Sequence, residues 1–137
     1  MSLVVDASVV IAALVDQGPD GLWAESLLDH PLVAPAIMPV EVANILRKAI
    51  RSGAISQDSA ALAHNDLLSL PIEYFPYEVV GARVWELRTT VTAYDAFYVA
   101  LAELIRAPLA TLDRKLVRAP GPRCKFRLPP SAARHEK

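Results

Sequence analysis

Short apolar runs alternate with longer stretches of helical periodicity along this chain. That alternation predicts an α/β fold with a mostly parallel central sheet flanked by helices. Leu3-Val4-Val5 is an apolar run ended by Asp6, the pattern of a buried strand entering a turn. After Ser8, residues Val9, Val10, Ala13 and Leu14 fall at the spacing of a buried helical face. Asp16-Gln17-Gly18-Pro19-Asp20-Gly21 is turn chemistry, followed by an expected helix over Leu22 to Leu28 and a strand at Leu32-Val33-Ala34. The clearest helix starts at Pro39, where Val42, Ile45, Leu46, Ala49 and Ile50 form one stripe and Gly53 is a natural C-cap. Ser56 to Leu70 predicts another helix stopped by Pro71, and Ile72 to Phe75 alternates like a strand. A helix from Tyr77 or Glu78 is expected to carry Val80, Val84, Leu87 and Val91 on one line, with the neighbouring Trp85 in the core. Thr92 opens a helix lined by Ala96, Val99, Ala100 and Glu103. Leu109 to Leu112 is a strand ended by Asp113, and Lys125 to Leu128 an edge strand.

Composition narrows the class without changing this outline. At 137 residues and 53% apolar, the chain can form a core without a disulfide or metal staple. Residues 1–130 are expected to form a single domain, and residues 131–137, which match no motif, a mobile tail. The longest apolar run, Val9 to Val15, is far short of the roughly 20 residues of a spanning helix. No basic segment precedes it, so a secretory signal is not expected. The lone Cys124 has no partner for an internal disulfide, and a cytoplasmic location follows.

Charge is unevenly divided. Residues 1–113 carry 6 basic and 14 acidic side chains, whereas residues 114–137 carry 8 basic and 1 acidic. A basic end, which opens with Arg114, Lys115 and Arg118, suits an anionic partner. A solvated surface is the competing explanation.

Four carboxylates stand out: Asp6, Glu41, Asp95 and Asp113, each at a strand end or a helix start and flanked by apolar sequence. Taken singly, each has an ordinary use as a helix cap, a turn residue or a complement to a helix dipole. Thr92-Ala93-Tyr94-Asp95, for example, fits a capping box. In a parallel sheet, however, ligands sit beyond the carboxyl ends of the strands, where Asp6 and Asp113 fall. Four converging acids need cations to offset their repulsion, and a set of hard oxygen ligands suits Mg²⁺ or Mn²⁺. His30, His64 and His135 lack zinc-site spacing. Ser8, Asn44 and Thr111 lie two or three residues from these acids and can orient them.

The segments Leu3 to Ser8, Pro39 to Asn44, Tyr94 to Ala102 and Leu109 to Asp113 together resemble the motifs of PIN-domain ribonucleases, and most closely those of VapC toxins. The resemblance implies a three-layer sandwich and RNA hydrolysis by water at a Mg²⁺ or Mn²⁺ site. Asp6, Glu41, Asp95 and Asp113 would be the metal-binding and catalytic acids, with Ser8, Asn44 and Thr111 in support. It also implies a homodimer silenced by a VapB-type antitoxin. Two other readings remain open at this stage. One is an aspartyl-phosphate enzyme using Asp6, although the position two residues on, where a second Asp is usual, holds Ser8. The other is an inactive RNA- or protein-binding module.

Overall fold

The computed structural model describes residues 1–130, so the expected tail at 131–137 lies outside it. Five parallel strands form one sheet: β1 (Leu3–Val5), β2 (Leu32–Pro35), β3 (Ile72–Phe75), β4 (Leu109–Ala110) and β5 (Phe126–Arg127). Their order is β3-β2-β1-β4-β5. The chain therefore steps outward from β1 to β3, returns to the other side of β1 with β4, and steps outward again. Right-handed crossovers in opposite directions put helices on opposite faces of such a sheet. Accordingly α1 (Ala7–Val15), α2 (Pro19–Leu27), α3 (Met38–Ser52) and α4 (Gln57–Ser69) pack among themselves, and α5 (Gly81–Glu86) packs with α6 (Ala93–Ile105). A short α7 (Arg114–Arg118) links β4 to β5.

The strands are apolar because both faces are covered: Leu3, Val4, Val5, Leu109 and Ala110 are all buried. Helix α6 lies against β1, β2 and β4, and every residue from Ala96 to Ala102 is buried. Gly21 lets α2 close onto the end of α1, since a Cβ there would stand 1.8 Å from the Asp16 carbonyl oxygen. Gly53 ends α3 in the left-handed conformation, at φ 80°. Among the described residues no helix is long and apolar enough to cross a membrane.

Three local expectations need correction. The helix expected from Tyr77 through Val91 is instead a 3₁₀ turn (Tyr77–Val79) followed by the six-residue α5. Val80 breaks it with non-helical angles (φ −130°, ψ 3°), although Val80, Val84 and Leu87 still face the core. Trp85 points outward at 65% exposure, with Arg88 4.6 Å from the ring centroid, because the residue after buried Val84 lies a quarter-turn round the helix. Strand β4 stops at Ala110, so Thr111 begins the loop beyond the sheet.

Candidate functional site

The order of strands reverses between β1 and β4, which leaves a crevice beyond their carboxyl ends. Asp6 leaves β1 there and caps α1. Its Oδ1 accepts hydrogen bonds from the Val9 N–H at 3.1 Å and from the Ser8 hydroxyl at 2.6 Å, and its Oδ2 accepts from the Thr111 hydroxyl. Ser8 Oγ in turn accepts from the Leu112 N–H at 3.2 Å, and Thr111 Oγ1 from the Asp113 N–H at 3.0 Å. These bonds tie the exits of the two central strands together around one carboxylate. Asp6 is 8% exposed, and burial pushes its carboxyl up to about 6 despite those bonds.

Asp95 sits in the first turn of α6, its N–H bonded to the Thr92 hydroxyl oxygen at 3.2 Å. Burial raises its carboxyl and the charge of Asp113 raises it further. Asp95 in turn adds its charge to the burial that lifts both Asp6 and Glu41. It is thus the common neighbour of the other three acids. Asp113 caps α7, its Oδ1 accepting from the Lys115 N–H at 2.9 Å and the Leu116 N–H at 3.2 Å. Its ordinary role as a cap is therefore real, and so is its charge at the site.

Glu41 projects from the first turn of α3, and the Tyr98 hydroxyl donates to its Oε1 at 2.5 Å. Sequence alone gives Tyr98 no part in the acidic site. The available signal was its position, three residues after Asp95 and so on the same side of one helix. Tyr98 is buried, and its hydroxyl pKa is raised by burial and by this bond to Glu41. A Tyr98→Phe substitution is expected to keep the fold and leave that carboxylate oxygen without its donor. Affinity for added Mn²⁺ measured by titration calorimetry should then fall at least about tenfold, from the low end of about 1.5–3 kcal/mol for a bond to a charged group.

Asn44 is exposed and makes no hydrogen bond to the acids. Arg114, Lys115 and Arg118 lie on α7, directly after Asp113. Both oxygens of Asp6 are engaged inside the protein, which leaves it poorly placed as a nucleophile for aspartyl-phosphate chemistry. Among the described residues no three His, Cys, Asp or Glu side chains are grouped closely enough to hold an ion as placed. The donor set nevertheless suits a hard divalent cation. It consists of carboxylates with raised pKa values and neighbouring hydroxyls, with no thiolate or imidazole.

The model of the family described as PIN domain matches residues 3–122. The chain belongs to the PIN-domain family. This PIN domain is closely related to VapC-family toxins of bacterial toxin–antitoxin systems. It is 38% identical over 127 residues to Ribonuclease VapC1 of Mycobacterium tuberculosis, covering 91% of this chain and 96% of that protein. It is 35% identical over 121 residues to Ribonuclease VapC3 of Pyrobaculum aerophilum, covering 85% and 92%. Its fold is shared with VapBC2 from Rickettsia felis, solved bound to a DNA fragment from the promoter. That match has a TM-score of 0.68 at 15% identity and covers 93% of this chain and 98% of the other.

Proposed function

We propose that this PIN domain is a Mg²⁺- or Mn²⁺-dependent endoribonuclease, the toxin of a toxin–antitoxin pair. The observation that carries the proposal is the convergence of Asp6, Glu41, Asp95 and Asp113 at the crevice between β1 and β4, where burial first and neighbouring acids second raise the carboxyls of Asp6, Glu41 and Asp95. Carboxylates held at such cost in a metal-free protein gain most when a cation joins them. The relatives named as ribonucleases support the same reading.

Asp6, Glu41, Asp95 and Asp113 would hold the cation. When bound, it supplies Lewis acidity and a water that ionises near neutral pH. The chain's own groups do the positioning: Ser8 and Thr111 fix Asp6, Tyr98 fixes Glu41, and the Thr92 cap fixes the start of the helix that bears Asp95. Arg114, Lys115 and Arg118 would hold substrate phosphates. Hydrolysis consumes one water, breaks the bond from phosphorus to O3′, and leaves a 5′-phosphate and a 3′-hydroxyl. The protein would act in the cytoplasm as a homodimer. A VapB-type antitoxin would silence it by placing an Arg or Lys among the carboxylates, where the positive charge replaces the cation.

One observation favours a binding module without catalysis, namely the absence of a ready-made ion cage among the described residues. A single assay separates the two. The purified chain should cut a labelled RNA in Mn²⁺ or Mg²⁺ and stop in excess EDTA. RNA bound but uncut in either ion would establish the binding module, and full cutting in EDTA would overturn the metal-dependent mechanism.

A further inference from the structure

A cleft of about 960 Å³ opens at the β5 edge of the sheet. Met1, Pro108 and Lys125, which precede three parallel strands, line it, so it begins at the end of the sheet opposite the acids. Strands β4 and β5 are only two residues long, however, and span only about 7 Å each. At its other end the cleft reaches Arg127, whose carbonyl oxygen accepts from the Thr111 N–H at 3.1 Å. Thr111 is the residue that donates to Asp6, so Arg127 is joined to the acidic crevice through a single intervening residue.

Four cations line the cleft: Arg106, Arg123, Lys125 and Arg127. Its one acid, Glu103, is already satisfied. Arg83 grips both its oxygens, at 2.7 Å from Nε and 3.2 Å from Nη2, and the Arg123 N–H donates to Oε2 at 2.7 Å. Among the described residues the side chains of Arg106, Lys125 and Arg127 have no hydrogen-bond or ion-pair partner. Arg106 suits the C-terminal dipole of α6, but that explains only one of the four. It also holds a left-handed conformation, at φ 55°, where glycine is the easier residue. Lys125 and Arg127 lie two positions apart on the extended chain, so their side chains leave it in the same direction. An array of cations strung along an edge strand matches a linear polyanion better than a compact one.

We infer that this cleft binds the phosphodiester backbone of single-stranded RNA flanking the cut. The inference rests on the ribonuclease reading and extends it to a substrate longer than the crevice alone accommodates. An acidic centre repels phosphates, so binding energy for the strand must come from cations outside it.

The test uses the full chain and a 20-nucleotide RNA, with binding measured in EDTA as a function of salt. Neutralising Arg106, Lys125 and Arg127 to Gln together should flatten the slope of log K against log salt by about 2, at about 0.7 per phosphate contact. In Mn²⁺ the same triple variant should lose about tenfold in kcat/KM on the long RNA and keep its rate on an RNA of a few nucleotides. Arg106→Gly guards against misfolding as the cause, because it should raise the thermal midpoint and still weaken RNA binding. Parallel salt lines for wild type and triple variant would overturn the inference. So would displacement of the RNA by free uridine monophosphate or by polyglutamate at equal charge, the latter marking a site for an acidic protein. If the wild type cuts neither RNA while the slope still flattens, the ribonuclease reading fails and the cleft stands.

Discussion

Asp6→Asn is expected to abolish RNA cleavage, by at least about a hundredfold, while raising the thermal midpoint of the metal-free protein. The two effects have one origin. Ionised Asp6 is buried beside Asp95, and the cost of that charge is what lifts its carboxyl from 3.8 to about 6. Two units correspond to about 3 kcal/mol at neutral pH, or on the order of 10 °C for a domain of this size. Asparagine keeps the architecture. Its Oδ1 still accepts from Val9 and Ser8, as asparagine is as good a cap as aspartate. Its amide can donate to the Thr111 hydroxyl, which rotates to receive it. Asp95→Asn should likewise abolish cleavage, since Asp95 is the shared neighbour of the other acids. An Asp6→Asn protein that cuts at a tenth of the wild-type rate or better would rule out the assigned role.

The stability gap between Asp6→Asn and wild type should also depend on pH, with a definite sign. A carboxyl whose folded pKa lies above its unfolded value binds more protons in the native state, so its contribution falls as pH rises. For Asp6 the penalty is absent below about pH 4, grows through about 6 and is complete above that. Melting curves of the two metal-free proteins should therefore converge as pH drops from 7 to 4 and separate by about 3 kcal/mol at pH 7. Glu41 and Asp95 are shifted in the same direction, and Glu103 in the opposite one because the bonds and charges of Arg83 and Arg123 together outweigh its burial. Comparison of the two proteins cancels all three to a first approximation. Mn²⁺ at pH 7 should stabilise wild type and leave the variant nearly unmoved. A gap that stays constant across this range would mean that Asp6 does not carry the proposed charge.

Much of this architecture is legible in the sequence because burial on both sheet faces leaves short runs such as Leu3 to Val5 with no polar residue. The caps are legible too, since Ser56 and Thr92 each accept from the N–H three residues on. The cap of α1 is Asp6, as its place ahead of Val9 suggests, and one carboxylate performs both the structural and the site role. Periodicity identified the buried positions Val80, Val84 and Leu87 correctly and failed on continuity, since a stripe survives a break in the helix that carries it. Trp85 was misplaced for a related reason: hydrophobicity says what a side chain prefers, not which way its helix turns it. The Tyr98 bond to Glu41 joins residues 57 positions apart, and the cleft cations span α6 to β5. Such long-range pairings exist only once the fold does.

The placement of β4 also sets a clock. β1 precedes the other strands but sits at the centre of the sheet, and its second neighbour is supplied only by β4, at Leu109, after six helices have been made. Thr111 and Asp113 follow directly, so Asp6 cannot meet its partners while the polypeptide is still short. At about 5–20 residues per second, the ribosome needs on the order of 5–20 s to extend the chain from Asp6 to Asp113. The activity proposed for this domain would accordingly be absent from the nascent chain until Asp113 has joined Asp6.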